Sequence, residues 1–410
     1  MLITGISGFV GPHLAKSYID EDNENQVYGL VRRRSDGDIS RGLRDLGIEK
    51  QVKKIEGSIE DLSSLLMAFD EVQPDIVFHL AAQSFVHRSF VNPLETVEIN
   101  CVGTANLLEA MRLKAGSQTK LIFAGSSEEY GFVAISKHQI EEFEKKHGNI
   151  FPPPQNIPEL PIKETNPLRP MSPYAVTKVF GEHLTREYAH TFGLHNVVSR
   201  GFNHEGARRG SYFVTAMVAR QIASIMADEI QAMNLGNISA FRDWTHIEDM
   251  VSAYRLLAEK GNRGDVYNVG SGRMNSVLGY VLLCLEAAGK HVTQLSTIDG
   301  EKRVMEPSEP VKISKYGKRW DSLRVEELML EEKLSFDLKD KGLRVIAGEN
   351  KIDIIFDSSK YRPTDVPYLL ADFTKIEKLG YRPRHSLFDI AREQLNYYID
   401  GRHRNFISPV

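Results

Sequence analysis

Short apolar runs alternate with longer stretches in which apolar residues recur every three or four positions. That alternation is the pattern of a parallel sheet whose strands are joined by crossover helices. The runs at 1–4, 26–31, 52–56, 75–80, 120–124 and 197–201 predict six strands. Val102, Ala105, Leu108 and Met111 predict a helix over 100–113, and a long helix is expected over 176–192. Six strands of this kind predict an α/β chain with a Rossmann-like, doubly wound parallel sheet. We expect that sheet to occupy residues 1–200, with a return of the chain around 238–262. Residues 201–410 then form a smaller α/β lobe. Two stretches break the rhythm. Residues 134–165 open with the charged helical piece HQIEEFEKKHG and run into a proline-rich connector at 151–161, expected to be extended. Residues 303–350 contain VEELMLEEKLSFDLKDKG, where Val325, Leu328 and Met329 predict an amphipathic helix. We read that charge run as a solvated structural insertion.

Composition narrows the class without changing this picture. A chain of 410 residues exceeds one compact core and suits two lobes. The net charge of −4 provides no global field for nucleic acid or an anionic membrane surface. An anionic small molecule would need local basic residues. Cys101 and Cys284 lie in apolar surroundings without a partner motif, as expected in a reducing compartment. The sequence starts directly on a strand, with no leader pattern, and no stretch has the length of a membrane span. The cytoplasm is the expected location.

The first strand runs into Thr4-Gly5-Ile6-Ser7-Gly8-Phe9-Val10-Gly11. Gly5, Gly8 and Gly11 permit a tight turn and close backbone approach to a pyrophosphate. The helix that follows, entered at Phe9 and Val10, supplies N–H donors and a positive dipole end. The second strand exits into Arg32-Arg33-Arg34-Ser35, with no acid before Asp36. An NAD site places a carboxylate there for the ribose 2′-hydroxyl, whereas Arg32 and Arg33 suit a 2′-phosphate. The cofactor expected is therefore NADP.

Ser172-Pro173-Tyr174-Ala175-Val176-Thr177-Lys178 sets Tyr174 and Lys178 one helical turn apart. A phenol is a poor base near neutrality, and a neighbouring ammonium together with a nicotinamide ring would lower its pKa. The fifth strand ends in Ala124-Gly125-Ser126-Ser127-Glu128-Glu129-Tyr130-Gly131, which brings hydroxyls and a carboxylate to the ligand end of a doubly wound sheet. Ser126, Glu128, Tyr174 and Lys178 are the expected catalytic set.

These motifs, with HLAAQSFV, SPYAVTKV, FNHEGARRGSYFVT, GNISAFRDWTHIEDMV, YNVGSG and YRPTDVPYLLADFTKIEKLGYRP, resemble the extended short-chain dehydrogenase/reductase family. Within it the chain is similar to the GDP-mannose 4,6-dehydratases. The resemblance implies a redox-neutral elimination of water from a GDP-sugar. Tyr174 would take the 4-hydroxyl proton, Ser126 (usually Thr in the family) would hydrogen-bond the 4-keto oxygen, and Glu128 would remove the proton on carbon 5. Leu80, Ala81 and Ala82 would line the cofactor. Ser84, Ser127, Asn203, Glu205, Arg209, Arg242, Arg362 and Asp365 would meet the substrate. Ser127 stands where dTDP-glucose dehydratases carry Asp and the GDP branch carries Ser. Ser58 replaces a usual Asp near the adenine, and Ala207 a usual Pro. His79 and His204 read as packed residues, and no spacing suggests a metal site. Relatives form homodimers or homotetramers. The competing readings are a GDP-4-keto-6-deoxymannose reductase or epimerase, which share the Tyr/Lys pair, and a catalytically silent NADP-binding module.

Overall fold

The computed structural model describes residues 1–32, 41–116 and 118–405. All six predicted strands form: Leu2–Thr4 (β1), Val27–Val31 (β2), Val52–Glu56 (β3), Ile76–His79 (β4), Lys120–Ser126 (β5) and His195–Gly201 (β6). The sheet has seven strands rather than six, because Val266–Val269 pairs in parallel with β6. From that edge the order is Val266–Val269, β6, β5, β4, β1, β2, β3. The missed strand is four fully buried residues, too short to show a period. The chain returns to the sheet through helix Ile247–Lys260, whose apolar face packs under β1 and β6.

The strand order reverses between β1 and β4, and this switch point opens the ligand crevice. Two devices fix it. Thr4 Oγ1 bonds His79 Nδ1 at 2.8 Å and accepts from Ala81 N at 3.2 Å, joining the exits of both strands. Asn100 sits in a single π turn, Glu98–Val102, ahead of helix Gly103–Lys114. Its side chain accepts from Gln83 N at 2.8 Å and donates to Gln83 O at 3.1 Å and Thr177 Oγ1 at 2.9 Å. The expected helix therefore begins as a widened turn that holds the β4 exit loop.

The second lobe is built on a five-stranded sheet, ordered Arg303–Met305, Val292–Thr297, Gly342–Ala347, Asn350–Phe356 and Ala232–Leu235. Helices Val214–Met226, Val277–Ala287 and Leu387–Ile399 cover it and share one core. The stretch at 303–350 is thus not a solvated insertion. It supplies two strands of this sheet, the hairpin Pro310–Lys315/Lys318–Leu323, and only a short helix, Arg324–Leu330. Ile313, Trp320, Leu323, Val325, Leu343 and Val345 are core residues. Even Glu326 is fully buried, accepting from Ser276 N, Ser276 Oγ, Asn275 Nδ2, Ser322 Oγ and Leu323 N.

The piece at 134–165 contains helix Lys137–His147, all of it at least partly exposed, leaning on Phe132, Ala134 and Ile150. Arg169 ties the segment down through a buried double contact with Glu159, at 2.8 Å on both nitrogens. Ile162 N donates to Leu370 O and Asp372 N to Ile162 O, so the connector runs beside the C-terminal motif.

Candidate active site

The glycine loop has the geometry of a cradle. Gly5 is left-handed at φ +75°, and a Cβ there would lie 2.7 Å from Ala81 N. A Cβ at Gly11 would lie 2.7 Å from Gly5 O, so the loop can close on helix Val10–Glu21 only with glycine at that position. Gly8 N donates to Gly5 O at 2.9 Å, and Ser7 and Gly8 face outward. Phe9 at the helix start gives no side-chain cap, which leaves the first N–H groups for an anion. The Leu80 and Ala81 backbone lies against Gly5, and Ala82 follows, half-buried. Arg32 is exposed at the end of β2, and Arg33 lies outside the described residues. These features fit a dinucleotide.

β5 continues two residues beyond its predicted end, to Ser126, and then makes a tight turn, Ser127–Glu129. Ser126, Ser127 and Glu128 are all buried there. Ser172 caps the long helix Pro173–Thr191 by accepting from Ala175 N at 3.0 Å, with Pro173 at the first position. That start puts Tyr174 and Lys178 in the opening turns, against the β5 exit. The Tyr174 hydroxyl lies within electrostatic reach of Ser126 and Glu128. The ammonium of Lys178 stands 5.9 Å from the Tyr174 ring centroid and donates to Ala124 O at 2.8 Å. The four expected catalytic side chains therefore meet in one place.

Their electrostatics differ from expectation in one respect. Burial pushes the Tyr174 phenol well above its ordinary value, and Lys178 does not offset that rise. The opposing influences are the Ser126 hydroxyl and the Arg209 charge. Lys178 itself is lowered to about 8 by burial, against attraction from Glu129. The reason is geometric: the lysine spends its hydrogen bond on the β5 backbone.

Across the crevice the substrate-side residues form a chain of charges. Arg362 Nη1 lies 3.8 Å from Glu128 Oε1 and 3.5 Å from Asp365 Oδ1. Asp365 also accepts from Arg242 Nη2 at 2.9 Å and Asn237 Nδ2 at 3.1 Å. Arg242 is held by the short pairing of Phe241–Arg242 with Asn275–Ser276. Asn203 pairs in register with Trp244, and its buried Oδ1 has no partner among the described residues. Ser84 is exposed at the rim.

Two of the expected residues are engaged by protein partners. Glu205 is buried and bonded to Thr215 Oγ1 at 2.5 Å, with Arg209 Nε at 3.4 Å, so it braces the loop rather than facing a ligand. Arg209 lies 3.5 Å from the Phe213 ring centroid and 5.2 Å from that of Phe9, which turns it toward the glycine loop. Helix Leu387–Ile399 holds the loop between these two residues. There Glu393 accepts from Ala207 N at 3.0 Å, and Gln394 donates to Gly206 O at 3.0 Å.

His79 bonds Thr4 and Thr104 and is lowered to about 3 by burial. His204 bonds Phe202 O, stacks on Phe9 and is lowered to about 4 for the same reason. The fold does gather His246, Glu248 and His385 within 4.8 Å, a grouping that no sequence spacing suggests. His246 Nδ1 accepts from Glu248 N and Nε2 meets Glu393, while the two rings stack at 4.0 Å. Stacked rings cannot both point an in-plane lone pair at one ion.

Residues 1–270 match the profile of the NAD dependent epimerase/dehydratase family. The chain belongs to that family. Among curated members, the GDP-mannose 4,6-dehydratase of Yersinia enterocolitica is 28% identical over 400 residues, covering 96% of this chain and 92% of that protein. The human GDP-mannose 4,6 dehydratase is 28% identical over 403 residues, covering 96% and 90%. The fold superposes on RMD from Pseudomonas aeruginosa, solved with NADPH, at a TM-score of 0.64 and 22% identity, covering 98% of this chain and 99% of that one. DesIV, the dTDP-glucose 4,6-dehydratase from Streptomyces venezuelae, superposes at 0.67 with 19% identity, covering 98% and 97%.

Sequence reasoning passed over three side chains of this epimerase/dehydratase-family site. Asn100, Glu393 and Gln394 each act through a backbone contact that only the fold creates. The single legible signal was Asn100, a polar residue heading an otherwise apolar helical pattern.

Proposed function

We propose that the protein is an NADP-dependent GDP-mannose 4,6-dehydratase, a hydro-lyase that yields a 4-keto-6-deoxy sugar nucleotide. The observation that carries the reading is the convergence of Ser126, Glu128, Tyr174 and Lys178, with Arg362 reaching Glu128 at 3.8 Å. A carboxylate beside the Tyr/Lys pair is what an elimination requires and a simple reduction does not. NADP when bound supplies a reversible hydride acceptor, so that no net oxidation accompanies the loss of water. Tyr174 takes the proton of the sugar 4-hydroxyl, its phenolate favoured by the Ser126 hydroxyl and the Arg209 charge, with Lys178 one helical turn on. Ser126 donates to the oxygen that becomes the ketone. Glu128 removes the proton on carbon 5, made acidic by that ketone, and returns it to the departing 6-hydroxyl. Arg242 and Arg362 supply the guanidinium groups for the diphosphate, and Asp365 offers polar contacts to the nucleoside. Asn203 and Ser127 orient the sugar.

Arg32 and Arg33 favour NADP over NAD through the 2′-phosphate. Val91, Leu94, Val102, Val176 and Phe180 are exposed on helices that touch one another, a strip suited to a second copy of the chain in a homodimer or homotetramer. Among the described residues no helix is long and apolar enough to cross a membrane, and both cysteines are free, in keeping with a cytoplasmic enzyme. The test is incubation with GDP-mannose and NADP, reading keto-sugar and NADPH together. A 4-keto product with no net NADPH is the expected result. Steady NADPH consumption with a 4-keto sugar nucleotide, and no dehydration, would replace the reading with that of a reductase.

A further inference from the structure

The loop at 206–210 carries two adjacent arginines that are used differently. Arg209 lies against Phe9 and Phe213. Arg208 reaches out of the second lobe, between helix Val10–Glu21 and the short helix Arg41–Asp45 of the first. Its side chain is only 9% exposed there. Nη1 donates to His13 Nε2 at 3.4 Å, and Nε stands 3.4 Å from Asp45 Oδ2. The imidazole can accept because it is neutral: burial first, and the guanidinium next, lower it to about 4. Nη2 occupies the space over Gly42, where a Cβ would lie 2.1 Å from it and 3.0 Å from Pro12 Cγ.

This placement works against the arginine and is not what holds the loop. Arg208 has a left-handed backbone at φ +70°, a conformation that residues other than glycine rarely adopt. Its charge is also desolvated, which lowers its pKa. The backbone on either side is fixed from behind, because Ala207 N donates to Glu393 Oε1 at 3.0 Å and Arg209 O accepts from Tyr398 Oη at 3.3 Å. Local strain of this kind persists where neighbours enforce it, and it gathers at working sites. What the guanidinium adds is a tie between two helices of the other lobe. These helices follow β1 and β2. In a doubly wound sheet the pyrophosphate sits at the start of the first, and the adenosine ribose at the exit of β2.

We propose that Arg208 is a positioning residue for the cofactor. From the second lobe it clamps helix Val10–Glu21 to helix Arg41–Asp45, and so sets the spacing in which the adenosine half of the dinucleotide is held. The inference rests on the reading that NADP binds along the glycine loop. It does not depend on which sugar nucleotide is transformed.

Two substitutions remove the clamp by different routes. Arg208→Met deletes the guanidinium. Gly42→Ala keeps it but puts a methyl group where Nη2 sits, at a helical position that alanine otherwise favours. Calorimetric titration of the intact chain with NADP should give a Kd about tenfold weaker in each variant. Combining them should add no further loss, since both break one contact. The Tm of Gly42→Ala should not fall below that of the parent. An unchanged Kd in Gly42→Ala overturns the proposal, even if Arg208→Met fails to fold. Losses that multiply in the double variant overturn it as well. So does a lowered Tm with a parent-like Kd, the mark of a brace without a part in cofactor binding. A parent protein that binds no NADP would sink the cofactor reading and this proposal together, whereas normal binding in the parent and in both variants sinks the proposal alone.

Discussion

Two clusters of opposite charge border the same crevice, and they are built differently. Beside the β5 exit, Glu129, Glu182, Arg200 and Lys178 are buried, and Arg200 and Lys178 hold fixed partners at 2.6–2.8 Å. Across the cleft, the Arg362–Asp365–Arg242 chain is looser at its Arg362 end, while buried Arg242 holds Asp365 at 2.9 Å. Arg362 is 32% exposed at its side chain and holds its partners at 3.5 and 3.8 Å, beyond hydrogen-bonding distance. The difference matches what the proposed function asks of each. A proton-transfer site gains from charges that do not rearrange during reaction. A diphosphate site needs guanidinium groups that can leave one anion for another, which is cheap only where water can intervene.

The sharpest way to break the comparison is at the reacting phenol. Tyr174→Phe keeps the ring and removes the proton carrier. Its kcat should fall about 10²–10⁴-fold, with KM and cofactor binding little changed. Retained turnover would mean that the dry cluster is structural only. Next in size is Glu326→Ala in the substrate lobe, which strands several buried donors and should cost about 3–5 kcal/mol of unfolding free energy. Denaturant titration measures it, and a loss under 1 kcal/mol would return that segment to the role of a solvated insertion.

On the looser side, Arg242→Met should raise KM for the sugar nucleotide about 10–100-fold while kcat changes less, since a charge-assisted contact is worth about 1.5–3 kcal/mol. A loss confined to kcat would place Arg242 with the reacting groups. The smallest effect is one of stability. Lys178 titrates at about 8 in the folded chain, against 10.5 ordinarily. Between those values the unfolded chain binds the extra proton, so stability rises with pH across the window and is penalised below it. Lys178→Met should therefore be about 1–2 kcal/mol more stable than the parent at pH 7, after losing the bond to Ala124. The advantage should shrink toward pH 10, as followed by thermal unfolding, and a destabilised variant would refute the burial cost assigned to the lysine.

The legible parts of this molecule share a property. Strands β1 to β6, the glycine loop and the Ser172-to-Lys178 turn are local patterns, in which neighbours in sequence do the work. The Gly5 turn needs only glycine, and Tyr174 and Lys178 need only one helical turn. In the second lobe, charge masks the strand period. In 342–347, buried Leu343, Val345 and Ala347 alternate with Arg344 and Ile346, the signature of a half-buried strand. The 324–330 helix was visible but shorter than its charged flank implied.

By itself the sequence determined the doubly wound sheet, the cofactor loop and the identities of the residues that could react, since each depends on backbone preference and spacing along the chain. Only the tertiary structure decided the rest: that Glu205 braces the loop through Arg209, that Arg209 turns to Phe9, and that Glu129 is buried on the Ser126 backbone. A carboxylate looks the same in a sequence whether it meets water, a ligand or a buried lysine. What distinguishes these fates is desolvation and the charge of distant neighbours, and both exist only once the chain has folded.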